Sequence, residues 1–246
     1  MKLLVCVSKT PDTTSKIAFT NNNTAFDTNG VQFIMNPYDE WYALVRALEL
    51  KEQLGGTVTT ITVDDASADV VIRKGLAIGA DDAVRIDLKP KSAMTVAKQI
   101  AAYAKEQNYD LILLGKETID YNGGEIGAML AEALDLPFIS YASKMDVSSN
   151  KATIQRDIEG GTEIVEVDTP FVLSAAKGMA EQRIPNMRGI MMAKRKPLNV
   201  VPPIETEELV EVVGYELPPA KSAVKLIDPE NMDELVRLLH EEAKVI

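Results

Sequence analysis

Asp110-Leu111-Ile112-Leu113-Leu114-Gly115-Lys116-Glu117-Thr118-Ile119-Asp120-Tyr121-Asn122-Gly123-Gly124-Glu125-Ile126-Gly127 is the stretch whose reading decides the fold. Its first part, Asp110 to Leu114, is an apolar run suited to a strand covered on both faces, and a helix is read from Glu125 to Leu134. Strand, loop and helix in that order build an open parallel sheet, in which ligands bind beyond the carboxyl ends of the strands where helix N-termini point. Gly123 and Gly124 let backbone approach an anion closely, and the helix start adds a favourable field of roughly 0.3–1 kcal/mol per interaction. The same pair of glycines also suits an ordinary tight turn, and pattern alone leaves both readings open.

Working outward, the chain from its start to about residue 140 alternates strand-like runs with helical patterns, as a parallel sheet covered by helices does. Leu3 to Val7 is a short buried strand, and Ile17 to Phe19 with Thr24 to Asp27 reads as a small hairpin around Asn21-Asn22-Asn23. A helix is expected next, with Asn36 as its cap and Pro37 at its first position. Trp41, Leu44, Val45 and Leu48 fall on one face, and Gly55-Gly56 ends it. Strands are read at Val58 to Val63 and Ala83 to Ile86, and helices at Asp69 to Ile78 and Ala93 to Lys105. After Pro137 shorter alternating runs predict antiparallel strands added to the parallel sheet. Residues 175–197 have no clean period and read as a loop. From Leu198 onward only Asp233 to Lys244 has helical spacing, with Leu235, Leu238 and Leu239 on one side. The division expected is an α/β domain over residues 1–197 and a C-terminal arm over 198–246, which either packs on a partner subunit or is a flexible tail.

Composition narrows the function. Of 246 residues, 46% are hydrophobic and 26% charged, enough for one large α/β domain with an extension. Acids outnumber bases 37 to 26, a net charge of −11, which argues against nucleic acid as the main partner because phosphate binding needs a basic face. The lone cysteine, Cys6, cannot form an internal disulfide, and no signal-like apolar region opens the chain, so a reducing cytoplasm is expected. No apolar run reaches the roughly 20 residues of a membrane helix. With one histidine, His240, far from Cys6, a Cys/His metal site is not expected, and no acid is spaced with a base or nucleophile for hydrolysis.

A second segment carries more specific information: Ile154-Gln155-Arg156-Asp157-Ile158-Glu159-Gly160-Gly161-Thr162-Glu163-Ile164-Val165-Glu166-Val167-Asp168-Thr169-Pro170-Phe171-Val172-Leu173-Ser174. Its residues predict a β-hairpin turning at Glu159-Gly160-Gly161. In the spacing of charge, glycine and proline it also resembles the signature segment of the electron transfer flavoprotein beta subunit, and the resemblance runs from Val5 to the basic residues at Lys194. It implies a Rossmann-like, adenine-nucleotide-binding sheet and an electron carrier rather than an enzyme.

The same resemblance implies an AMP site built from Gly115, Lys116, Glu117, Thr118, Ile119, Asp120, Tyr121, Asn122, Gly123, Gly124, Glu125 and Ile126. The Asn36-Pro37-Tyr38-Asp39 helix start joins it, with Cys6 and Val63 by alignment. At Tyr121 to Glu125 the chain departs from many relatives, and Glu125 brings a carboxylate near the expected phosphate. Partners implied are an alpha subunit that holds most of an FAD, flavoprotein dehydrogenases such as acyl-CoA dehydrogenases of fatty acid oxidation, and a quinone oxidoreductase. Residues 181–196 resemble the family's recognition loop, with Met187 as its apolar hook; the alternative is a loop folded back on the core. Bifurcating members hold a second FAD in place of AMP, and that choice is open. A universal-stress-type ATP module would need Gly-Ser or Gly-Thr some nine residues after Gly124 and Gly127, which Ala128 to Pro137 lacks; an ATP-hydrolysing ligase would need a glycine-rich loop after the first strand, where Val7 to Asp12 has no glycine.

Overall fold

The computed structural model describes residues 1–221 and 223–246. The opening apolar run forms β1 (Lys2–Cys6), and its alternation sends Leu3 and Val5 into one core layer and Leu4 and Cys6 into the other. Short pieces follow: β2 (Lys9–Pro11), β3 (Phe19–Thr20), β4 (Ala25–Phe26) and β5 (Phe33–Met35). β3 and β4 make the small hairpin, tighter than the sequence suggests, with Asn21, Asn22 and Asn23 all at positive φ, which asparagine tolerates. β5 pairs antiparallel with β2.

The first long helix, α1 (Asp39–Leu54), begins later than expected. Asn36 is not its cap and Pro37 is not its first residue. Tyr38 takes φ 62° and ψ −91°, outside the helical region, so helix begins only at Asp39, and Gly55 ends it as read. Next come β6 (Thr57–Asp64), α2 (Asp69–Ile78), β7 (Asp82–Asp87), α3 (Ala93–Lys105), β8 (Leu111–Gly115) and α4 (Ile126–Leu134). The antiparallel additions are β9 (Phe138–Ser148), β10 (Lys151–Ile158) and β11 (Gly161–Asp168); Ile158 pairs with Gly161, so Glu159 and Gly160 form the two-residue turn. Gly160 supplies the positive φ that such turns require. The rest of that signature segment does something periodicity does not announce. β12 (Phe171–Ala175), buried throughout, inserts parallel between β8 and β9.

Residues 175–197 are not loop throughout, because α5 (Met187–Ala193) forms there with the Asn186 carboxamide accepting from Gly189 N–H at 2.8 Å. The helix spans only about two turns and buries only Ala193, which is why it leaves no period in the sequence. The first residues after 197 form β13 (Leu198–Val201), an edge strand parallel to β7, and α6 (Met232–Glu241) lies near the end of the chain.

The nine strands run in the order β11-β10-β9-β12-β8-β1-β6-β7-β13. α1 and α2 cover one face with Ala43, Leu44, Ala47, Val71, Ile72 and Leu76, and α3 and α4 cover the other with Ala97, Ile100, Leu130 and Ala131. Leu3, Leu4, Leu44, Ile72, Leu111 and Phe171 are fully buried; each such side chain withdrawn from water contributes roughly 1.5–3 kcal/mol. From β1 the chain steps to β6 and β7, then returns to place β8 on the other side of β1. Connections leaving β1 and β8 therefore diverge, and a crevice opens beyond their carboxyl ends.

Candidate functional site

The crevice is organised by one amide. Asn36 is fully buried; its backbone N–H donates to Ser8 O at 3.0 Å, its Nδ2 donates to Glu117 O at 2.9 Å, and its Oδ1 accepts from Ile119 N–H at 3.0 Å. The side chain is thus spent on pinning the loop after β8 to the segment before α1, and so does not cap α1, while the backbone N–H ties that segment to the residues after β1. Glu40 adds a second tie: its carboxyl accepts from Ser8 N–H at 2.8 Å and meets Ser8 Oγ at 2.6 Å. Gly115 lies so close to the start of α1 that a Cβ there would sit 2.9 Å from both Glu40 Cγ and Glu40 N. Only glycine permits that approach.

Beyond Gly115 the loop folds on itself. Thr118 N–H donates to Gly123 O at 3.0 Å, Tyr121 N–H to the Asp120 carboxylate at 3.0 Å, and Asn122 takes φ 50°. A Cβ on Gly124 would meet Lys116 O at 3.1 Å, so this glycine serves loop closure as well as access. The loop delivers the chain to α4, whose flanking residue Glu125 makes no side-chain cap, unlike Ser92, Asn186 and Asn231 before α3, α5 and α6. The first N–H groups of α4 are therefore left without a side-chain acceptor at the mouth of the crevice, the arrangement that suits a phosphate.

The charges are arranged asymmetrically. Burial pushes the Glu40 carboxyl up to about 8 and the Asp39 carboxyl up to about 6, the latter opposed by Lys116 and reinforced by Glu117. Glu117 and Asp39 hold the Lys116 ammonium above its ordinary value, and its Nζ lies 5.6 Å from the Tyr141 ring centre. Burial drives the Cys6 thiol far upward, so it behaves as an apolar wall rather than a nucleophile. Among the described residues, no group of three or more His, Cys, Asp and Glu side chains is placed to hold a metal ion.

The structure gathers most of the residues singled out from sequence. Cys6 ends β1, Val63 lies one residue before the end of β6, Asn36 to Asp39 lead into α1, and Gly115 to Ile126 span β8 to α4. Met187 stands apart. It opens α5, which packs on α2, and Trp41 Nε1 donates to Arg183 O at 3.1 Å while the Arg183 guanidinium pairs with Glu52. Met187 is 74% exposed and Met191 67%, but Ile184, passed over in the sequence reading, is 86% exposed. Ser8 and Glu40 were also missed. Glu40 falls on the stripe of Ala43, Leu44 and Ala47, and that periodicity was the available signal for a buried acid.

A mostly parallel sheet with a crevice at its switch point, ringed by an amide-locked loop and an uncapped helix start, defines a Rossmann-like class of α/β protein. Comparison with known proteins narrows the class. The model of the electron transfer flavoprotein domain matches residues 23–206. Electron transfer flavoprotein subunit beta of Bacillus subtilis (strain 168) is 37% identical, over the whole of both chains. Its counterpart in Syntrophomonas wolfei is 35% identical over 94% of this chain and 91% of its own, and the one in Homo sapiens is 32% identical over 100% and 99%. The chain belongs to the electron transfer flavoprotein family, on its beta-subunit branch. Among the described residues no helix is long and apolar enough to cross a membrane.

Proposed function

We propose that this chain is the beta subunit of a heterodimeric electron transfer flavoprotein, which binds AMP in the switch-point crevice and helps hold an FAD carried chiefly by an alpha subunit. The observation that carries the reading is the Asn36 clamp, which fixes the Gly115–Ile126 loop over the mouth of the crevice beside the free N–H groups of α4. In this reading the nucleotide phosphate accepts from those groups, Cys6 and Val63 form apolar walls, and Glu125 turns its carboxylate away from the phosphate or toward ribose hydroxyls. When bound, FAD supplies the capacity to accept and release electrons, and the chain itself converts no substrate.

The electrons come from flavoprotein dehydrogenases such as acyl-CoA dehydrogenases and leave for a quinone-linked acceptor. The docking surface is the exposed apolar face of residues 184–192, where Ile184, Met187 and Met191 stand clear of the body. Unbranched methionine repacks readily against different partners. Tyr121 and Glu125 favour AMP over a second FAD, because a bulky ring and a carboxylate crowd an extended dinucleotide. Denaturing the heterodimer and counting released nucleotides tests this: one AMP and one FAD are expected, and two FAD with no AMP overturns it.

A further inference from the structure

Beyond Val201 the arm forms no helix or strand before Tyr215, yet it follows a defined path. Gln99 on α3 holds Ile204 at both backbone groups, donating to its carbonyl at 2.7 Å and accepting from its N–H at 2.9 Å. Ser92, at the start of α3, donates to the Glu208 carboxylate at 2.9 Å. Since α3 starts just after the carboxyl end of β7, these two contacts lead the arm up to the rim where the crevice opens. From Glu207 to Lys221 every residue is exposed except Tyr215. Leu209, Val210, Val212, Val213 and Leu217 are all left in solvent, so beyond Glu208 this stretch is docked at one point.

That point is specific. Tyr215 N–H donates to Asn23 O at 2.8 Å, its ring stacks on Phe19 of β3 with centres 4.8 Å apart and planes 8° from parallel, and its hydroxyl lies 3.4 Å from the hydroxyl of Tyr121. Tyr121 belongs to the loop that carries the nucleotide reading. A single arm residue therefore joins the β3–β4 hairpin to the outer side of that loop.

We infer that Tyr215 is a nucleotide-retaining residue: it clasps the arm across the Gly115–Ile126 loop, so that an adenine nucleotide enters and leaves only when the clasp opens. The inference rests on the adenine-nucleotide reading of the loop. Opening is local, because it breaks one aromatic stack, one backbone hydrogen bond and the hydroxyl contact with Tyr121, and leaves the Gln99 and Ser92 tethers in place. The clasp acts as a positioning device, and its signature is kinetic: its loss speeds both association and dissociation, whereas loss of an ordinary binding contact speeds dissociation alone.

The test uses the full chain co-purified with its partner subunit, loaded with N-methylanthraniloyl-AMP and chased with unlabelled AMP in stopped flow. Tyr215→Ala is expected to accelerate release at least tenfold and to accelerate binding as well. Phe19→Ala, which removes the stack without touching the loop, should reproduce most of that effect, and the double variant should release no faster than Tyr215→Ala alone. Tyr215→Phe keeps the stack but loses the hydroxyl contact with Tyr121, so its release rate should fall between those of the wild type and Tyr215→Ala. Release from Tyr215→Ala within twofold of the wild type overturns the clasp while the nucleotide reading stands. A wild-type complex that yields no adenine nucleotide on denaturation overturns both.

Discussion

Glu40→Gln isolates the buried carboxyl that ties α1 to the segment after β1. The folded protein holds this proton up to about pH 8, whereas the same group in an unfolded chain releases it near 4.5. Because the folded state binds the extra proton, the stability linked to this group is fully present below about pH 4.5 and is lost as pH rises toward 8. At roughly 1.36 kcal/mol per unit the whole window is worth on the order of 5 kcal/mol. Asp39 shares the lower part of that window, since its carboxyl is raised only to about 6. Between pH 6.5 and 8 Glu40 therefore acts nearly alone, and the expected loss is about 2 kcal/mol, a fall in Tm of roughly 4–8 °C for a chain of this size. Gln keeps an acceptor for Ser8 N–H and a donor for Ser8 Oγ, so the variant should fold and lose the slope. Thermal melts of both proteins at half-unit pH steps decide the matter. Parallel pH slopes for wild type and variant from 6.5 to 8 refute the reasoning.

Gly124→Val sets a β-branched side chain against Lys116 O, which a Cβ alone already meets at 3.1 Å; the complex should retain under a tenth of its adenine nucleotide on purification, measured by chromatography of the denatured extract. Gly115→Ala forces the start of α1 away from the end of β8 and should lower Tm by several degrees and weaken nucleotide binding together, read by calorimetry and by titration with AMP. Met187→Ala should slow electron delivery from a partner dehydrogenase with flavin content unchanged, because truncating a central anchor typically costs roughly 2 kcal/mol. Ile184→Ala run beside it in steady-state transfer assays identifies which exposed side chain is the anchor, and normal rates in both remove the segment from the docking surface. Tyr38→Gly relieves a φ of 62° and should raise Tm by about 1 °C or more unless the ring is needed in the assembled complex, which flavin retention reports.

How far the sequence could be read depended on how local the cause was. α2 and α3 were placed to the residue, because apolar period, preceding turn and following loop all lie within a few positions of them. β1, β3, β4, β6, β7 and β8 were found to within a residue or two for the same reason, whereas β2 and β5, three residues each, gave no such signal. β12 was read only as the tail of a hairpin segment; that it enters the middle of the sheet depends on β8 and β9, tens of residues earlier in the chain, and nothing in its own five residues states that. α5 was missed because a seven-residue helix with one buried side chain has no face to repeat. In the site, the glycines and the Asn-Pro step were visible as types. Their partners were not: Asn36 reads as a cap until the loop 80 residues later claims its amide, and Tyr38 gives no hint of the backbone angle that delays the helix.

The bonds between α1 and Arg183 bear on how the molecule carries load. Sixteen residues of helix form a rod roughly 24 Å long. Its first turn is fastened into the crevice through Glu40, Trp41 holds the Arg183 carbonyl, and Glu52 near its far end grips the Arg183 guanidinium. A partner leaning on Ile184 or Met187 thus pushes against a stiff strut rather than a swinging loop, and the force arrives at the same helix whose first turn packs against Gly115 at the start of the Gly115–Ile126 loop.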